Sequence, residues 1–186
     1  ADGKGITYTV RFRVFNDGVG FRYELPEQPN ANYLTLLDEN TEFNLADDYT
    51  LYCIPGDYDT DEFLYTTTPM SSLSESLKRA NHTEGSSIGV LAVQTPLMMK
   101  HPDKPLYVNI HEAALVGYPA MALEIDDEAE GRMHSHLTPD KLGVRAYLQL
   151  PFNTPWRTMI ISDDARDILA SQLIYNLNEP CAIEDT

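Results

Sequence analysis

The sequence predicts an all-β sandwich closed by one short carboxyl-terminal helix. Strict period-2 alternation opens the chain, seven further short strand-like runs follow with Pro, Gly and Asn between them, and no βαβ spacing appears. From Ile6 to Phe15 the residues Ile6, Tyr8, Val10, Phe12 and Val14 share one face and Thr7, Thr9, Arg11 and Arg13 the other, the pattern of a half-buried strand. Asn16-Asp17-Gly18 is a turn signal, because Asp-Gly tolerates the positive φ that tight hairpins demand, and Val19 to Leu25 returns as the second strand. Short strands are then expected at 33–37, 41–45, 88–93, 106–111, 120–125, 146–150 and 158–161.

Between them, Pro69 to Gly85 is Ser-rich and reads as a surface excursion, weakly helical at most, with Leu73 and Leu77 one turn apart. Near the end, Ser162 is the expected cap of a helix whose first turn holds Asp163 and Asp164, favoured beside the positive end of the helix dipole. Ile168, Leu169, Leu173 and Leu177 give its apolar stripe, and Asn178-Glu179-Pro180 stops it, since proline cannot continue a helix.

At 186 residues and 42% hydrophobic content the chain supports a single domain over 1–186 with its own core. A formal charge of −16 argues against nucleic acid and anionic membrane surfaces, which need clustered Lys and Arg, and favours cations and neutral ligands. No apolar run approaches the roughly 20 residues needed to span a bilayer, so no membrane insertion is expected, and ADGKGITYTV is not a signal peptide. Cys53 and Cys181 permit at most one disulfide, and the sequence does not decide whether they meet.

The residue most in need of explanation is Glu112, the single carboxylate in LYVNIHEAALVGYPAMAL, a stretch that otherwise reads as buried strand and turn. A carboxylate there requires a cation, a metal or backbone amides, because desolvating the ionised form is expensive. Trp156-Arg157 could form a sugar-stacking platform or an anion clamp, but the chain's only tryptophan is better read as a core or interface plug. Tyr118-Pro119 would shape the turn that carries Glu112. His134 and His136, two apart, would share a face on a strand, yet Gly131 and Pro139 mark a loop and no third ligand stands at metal spacing. His82, His101 and His111 are scattered, and His111 should point away from its neighbour Glu112. Asp57, Asp59, Asp61, Glu62, Asp126 and Asp127 cluster in polar loops of ordinary turn composition. No nucleophile elbow, Cys/His pair or phosphate loop is present, so no catalytic residue is assigned.

Taken in order, FRVFNDGVGFRYELP, EFNL, DTDEFLYTTTP, TPLMM, NIHEAALVGYPAM and TPWRTMIISDD running into ILASQLIYNLNEP resemble the amino-terminal domain of glycoside hydrolase family 97, bacterial α-glucosidases and α-galactosidases. The resemblance implies a galactose-mutarotase-like β-super-sandwich, incomplete because family members carry strands before the point matching Ala1 and continue past Thr186 into a catalytic barrel. It implies that the general acid and the base or nucleophile lie in that barrel, so this fragment alone is inactive. Glu112, at the matching position, is implied to be one ligand of an active-site calcium ion, the barrel supplying the others. Tyr118, Trp156 and Arg157 are then domain-interface or substrate-proximal residues, with an oligosaccharide substrate and a periplasmic location implied for the parent. Missing leading strands should leave an exposed sheet edge, open to pairing with another chain.

Two other readings stand beside this one. A non-catalytic carbohydrate-binding or interaction sandwich would show an aromatic row on an open face, whereas Glu112 and Trp156 converging on one patch would mark a domain interface. A purely structural domain would simply salt-bridge Glu112 within the fold.

Overall fold

The computed structural model describes residues 5–80 and 88–183. His82 and the 81–85 part of the expected excursion lie outside the described residues. The hairpin forms as expected: β1 (Thr9–Phe15) pairs antiparallel with β2 (Gly18–Leu25) in continuous register from Thr9↔Glu24 to Phe15↔Gly18. Next come β3 (Tyr33–Leu36), β4 (Glu42–Asn44), β5 (Thr50–Cys53) and β6 (Thr66–Pro69). A 3-10 turn at Met70–Ser72 leads into α1 (Leu73–Ala80). Strands β7 (Ala92–Gln94), β8 (Leu97–Lys100), β9 (Tyr107–Ala113), β10 (Met121–Asp127) and β11 (Arg132–Leu137) follow. The chain ends with β12 (Ala146–Gln149), β13 (Phe152–Asn153), β14 (Trp156–Ser162), α2 (Ala165–Ala170) and α3 (Leu173–Leu177).

An eight-stranded sheet in the order β1-β2-β14-β9-β8-β5-β6, with β13 also on β2, faces a four-stranded sheet in the order β4-β11-β10-β7. β3 and β12 form a separate pair. The main core lies between the two larger sheets: Leu51, Leu97, Met99 and Ile110 from one meet Val93, Leu123, Met133 and Leu137 from the other, all at most 2% exposed. This is the predicted all-β sandwich.

Several expectations are corrected. The segment after Pro69 is no surface excursion, because Leu73 (0% exposed) and Leu77 (6%) are core residues and make α1 a lid on the sandwich. Strands β5, β6, β8 and β13 had no sequence prediction; their runs are short or Thr-rich and give too few alternations to register. The His134–His136 stretch is strand β11, not loop. The single carboxyl-terminal helix is two. Asp164, not Ser162, is the N-cap, its side chain accepting from the Arg166 N–H. Ser171 then breaks the run by donating to Asp17 at 2.6 Å and accepting from the Leu173 N–H at 3.1 Å. That break turns Leu173 and Leu177 onto β14 and β2, where they are buried with Ala113, Trp156 and Ile160.

The first strand is the largest departure. Its apolar face is not half-buried: Ile6, Tyr8, Val10, Phe12 and Val14 are 42, 57, 39, 62 and 79% exposed, because β1 is an edge strand beyond the cover of the second sheet.

Candidate functional site

Arg157 and Glu112 are direct register partners on β14 and β9, so their side chains leave the sheet on the same face. Both are deeply buried, Arg157 at 0% and Glu112 at 6% exposure. The Arg157 Nη1 donates to Glu112 Oε1. The other Glu112 oxygen, Oε2, accepts from the Met121 backbone N–H at 2.9 Å. That second bond needs the 114–120 connection to fold β10 back on β9, which it does through positive φ at Ala114 (+54°) and Gly117 (+63°).

The rest of the guanidinium grips a second carboxylate. Arg157 Nε and Nη2 donate to Glu39 Oε1 and Oε2 at 2.9 and 2.8 Å, a bidentate fork. Glu39 also accepts from Thr41 Oγ1 and Tyr118 Oη, each at 2.8 Å, and Tyr23 Oη lies 2.8 Å from Thr41 Oγ1. The Tyr118 ring sits under the guanidinium, 5.7 Å from Arg157 Cζ to the ring centroid, and stacks on Phe152. One buried cation is thus shared between two buried carboxylates.

The electrostatics divide the pair. Burial pushes the Glu39 carboxyl up, but the Arg157 fork, Thr41 and Tyr118 outweigh it and hold Glu39 below its ordinary value. Burial dominates at Glu112 and raises its carboxyl, with Arg157 and the Met121 amide opposing. A carboxyl with a depressed folded pKa contributes stability that is present above its unfolded value and lost as the pH falls through the folded one. Urea unfolding as a function of pH should therefore show wild type losing stability below about pH 4.5, the reference carboxylate value, with Glu39→Gln losing markedly less over the same interval. Parallel pH profiles for the two proteins would show that Glu39 is not the group responsible.

Glu112 also lines a cavity of about 270 Å³ at the end of the sandwich, together with His111, Met121, His136, Tyr58 and Asp57. Burial lowers the His111 pKa, and its Nδ1 has no hydrogen-bond partner. Expected to point away from Glu112, His111 nevertheless lines the same cavity, because β9 runs on past the end of β8 there. His136 donates or accepts at Tyr58 Oη (2.8 Å) and Glu124 (2.7 Å), and His134 meets Asp126 at 2.9 Å. Among the described residues no group of three or more His, Cys, Asp or Glu side chains could hold a metal ion.

Trp156 falls on the opposite face of the sheet, paired with Ala113. It is 0% exposed beneath α2 and α3, with the Arg22 and Arg13 guanidinium carbons 4.5 and 5.1 Å from its ring. Glu112 and Trp156 therefore do not converge, and Trp156 is a core plug with no face open to a sugar ring. Cys53 is buried and Cys181 exposed, both free. Burial pushes the Cys53 thiol up to about 12, which leaves it unreactive.

Sequence reasoning found Glu112, Tyr118 and Arg157 and missed Glu39. In LLDENTEF, Glu39 reads as one of several loop acids. The available signal was Arg157 itself, a cation beside the apolar run Met159-Ile160-Ile161, which needs more than one carboxylate oxygen pair to satisfy its five donors.

Fold and site together define a β-super-sandwich domain with a buried Glu–Arg–Glu triad at one end of its inter-sheet face. Residues 1–180 match the family described as Glycosyl-hydrolase 97 N-terminal. All 186 residues align with 25% of a glycoside hydrolase family 97 enzyme from Pseudoalteromonas sp. strain K8, solved in complex with acarbose, at 39% identity and TM-score 0.80. A glutamate-to-glutamine variant of a family 97 enzyme from that strain, in complex with panose, matches with the same identity, coverage and TM-score. A β-arabinopyranosidase shares the fold at 24% identity and TM-score 0.65, over 87% of this chain and 26% of its own. The chain belongs to the glycosyl-hydrolase 97 N-terminal family, and it spans about a quarter of the length of the family 97 enzymes it matches.

Proposed function

We propose that this chain is the amino-terminal part of a calcium-dependent α-glycosidase, an α-glucosidase or α-galactosidase acting on oligosaccharides in the periplasm. It packs on a catalytic barrel of the same polypeptide and gives an active-site calcium one carboxylate oxygen from Glu112. The observation that carries the reading is Glu112 itself: a carboxylate only 6% exposed, lining a cavity and held there by Arg157 and the Met121 amide. The family 97 enzymes from Pseudoalteromonas, with their acarbose and panose complexes, support the substrate class.

The residues present fit a calcium ion as a single ligand and no more. Each Glu112 oxygen makes one hydrogen bond and keeps a lone pair, whereas calcium takes six to eight oxygens, so the remainder must come from beyond the described residues. When bound, such an ion supplies electrostatic stabilisation to the departing oxygen of the glycosidic bond. Glu112 would hold the ion; Arg157 and, through it, Glu39 would fix the orientation of the Glu112 carboxylate; Tyr118 and Trp156 would act from inside the domain by locking β14 against β9, the strand that gives His111 and Glu112 to the cavity wall.

The test is hydrolysis of aryl α-glucoside and α-galactoside by the chain extended through its natural carboxyl terminus, with and without calcium, against Glu112→Gln. Calcium-dependent activity that the variant lowers by at least about tenfold is expected, the scale for weakening a metal site. An inactive extended protein, or a variant equal to wild type, would overturn the ligand role and leave Glu112 as a structural ion-pair partner.

A further inference from the structure

We infer that Tyr58 is a substrate-binding residue of the Glu112 cavity: a Glu124–His136 relay holds the Tyr58 hydroxyl proton, so the phenol oxygen is presented as an acceptor and takes a hydrogen bond from a sugar hydroxyl. The inference rests on the glycosidase reading for the identity of the ligand, and on contacts inside this chain for everything else.

The first observation is that the loop carrying Tyr58 is anchored on both sides of it. The Gly56 N–H donates to the Ala92 carbonyl at 2.8 Å, and Gln94 Nε2 donates to the Asp57 carbonyl at 2.7 Å. Just beyond, Asp57 Oδ1 accepts the N–H groups of Asp59 and Thr60 at 2.9 and 3.1 Å and closes the turn. The Tyr58 ring packs against the buried cluster of Ile88, Ala92 and Ala122 and stacks on His136, with ring centroids 5.9 Å apart. Tyr58 is therefore a fixed part of the cavity that Glu112 and His136 also line.

The second observation locates the hydroxyl proton. Antiparallel register sets Ala122 opposite His136 and Glu124 opposite His134, so Glu124, His134 and His136 share one face of the four-stranded sheet, away from the core residues Leu123, Met133 and Leu137. His136 Nδ1 lies 2.7 Å from Glu124 Oε2, and Nε2 lies 2.8 Å from Tyr58 Oη. A carboxylate only accepts, so Nδ1 carries the proton of the neutral ring; Nε2 is then bare and accepts the Tyr58 O–H. His134 does not compete for Glu124: its Nδ1 meets Asp126 at 2.9 Å and its Nε2 stands off from Glu124 Oε2 at 3.5 Å.

The third observation is what this leaves for a ligand. With its proton committed to His136, the Tyr58 oxygen has only lone pairs to offer, and Asp57 and Glu112 line the same cavity with carboxylates. No lysine or arginine is among the described residues that line it, so an anionic ligand would find no counter-charge there. A neutral ligand rich in hydrogen-bond donors fits this lining, and a sugar hydroxyl is such a donor.

The kinetic test uses the chain extended through its natural carboxyl terminus, on whichever of the aryl α-glucoside and α-galactoside it hydrolyses. Tyr58→Phe keeps the ring and removes only the oxygen; it should raise KM about three- to tenfold, the scale of one hydrogen bond, with kcat and calcium dependence retained. Glu124→Met removes the acceptor that selects the His136 tautomer and should raise KM in the same direction. Joined to Tyr58→Phe it should add nothing, because both act through one oxygen, whereas a merely structural Glu124 would multiply the effect. The tautomer itself is read in the 186-residue chain by imidazole nitrogen NMR, with His136→Gln assigning the signal among the five histidines. At about pH 8, above the reference histidine value, wild type should show Nδ1 protonated and Nε2 bare. Calcium-dependent activity that Glu112→Gln lowers, joined to a wild-type KM in Tyr58→Phe, would overturn this inference and leave the glycosidase reading standing. Multiplying effects, or a His136 proton on Nε2, would overturn it in the same way. An inactive extended protein would overturn both.

Discussion

Arg157→Met is expected to destabilise the domain by about 3–5 kcal/mol, because it leaves two buried carboxylates with no cation. Glu39 would keep only its bonds from Thr41 and Tyr118, and Glu112 only the Met121 amide. Both would then protonate or draw in water, at the expense of the sheet pairing that places them. A domain's whole stability is about 5–15 kcal/mol, so the variant should be at or near the threshold of folding. The measurement is urea unfolding followed by the emission of Trp156, the only tryptophan, which moves from a fully buried site to water. The loss belongs to the orphaned charges and not to the missing side chain, so Glu39→Gln/Arg157→Met/Glu112→Gln should recover a large part of it. An Arg157→Met protein within about 1 kcal/mol of wild type would mean that the triad contributes little and that water already reaches these groups.

Gly18→Ala should be comparably severe for a different physical reason. A Cβ built on Gly18, at φ +157°, would lie 2.1 Å from the Met159 carbonyl oxygen and 2.9 Å from Leu173 Cδ1. The first of these is backbone in the central strand β14, which cannot retreat without breaking its pairing with β2 or β9. A cost of about 3 kcal/mol or more is expected, at the upper end of overpacking, outweighing the small gain from a stiffer unfolded chain. Gly5→Ala meets nothing within 4 Å and should stay within about 0.5 kcal/mol of wild type. Equal unfolding midpoints for the two alanine variants would show that β14 has room that the geometry denies.

The legible parts of this protein were those with a local physical signature. The β1–β2 hairpin, the long strands β9, β10 and β14 and the existence of helical structure after Ser162 follow from alternation, turn residues and caps within a few positions of one another. Glu112 stood out because a charge inside an apolar run has few stable environments. Of the three partners expected of such a residue, a cation, a metal or backbone amides, the fold itself supplies two, an arginine and a backbone amide. The four strands with no prediction are short, and their burial is decided by neighbours far away in sequence: β5 is sandwiched between β6 and β8, which adds no pattern to Thr50–Cys53 itself.

By itself, then, the sequence determined the all-β class, the one strand-borne carboxylate that needs an explanation and the motif order that resembles family 97. Tertiary structure alone decided which face each strand buries and which acids pair. Glu39 and Arg157 lie 118 positions apart, and only the stacking of sheets brings them together. The same holds in reverse for β1, whose alternation promised a buried face. Alternation reports that a strand has an apolar side; whether a second layer reaches far enough to cover that side depends on sheet order, and β1 stands at the uncovered edge.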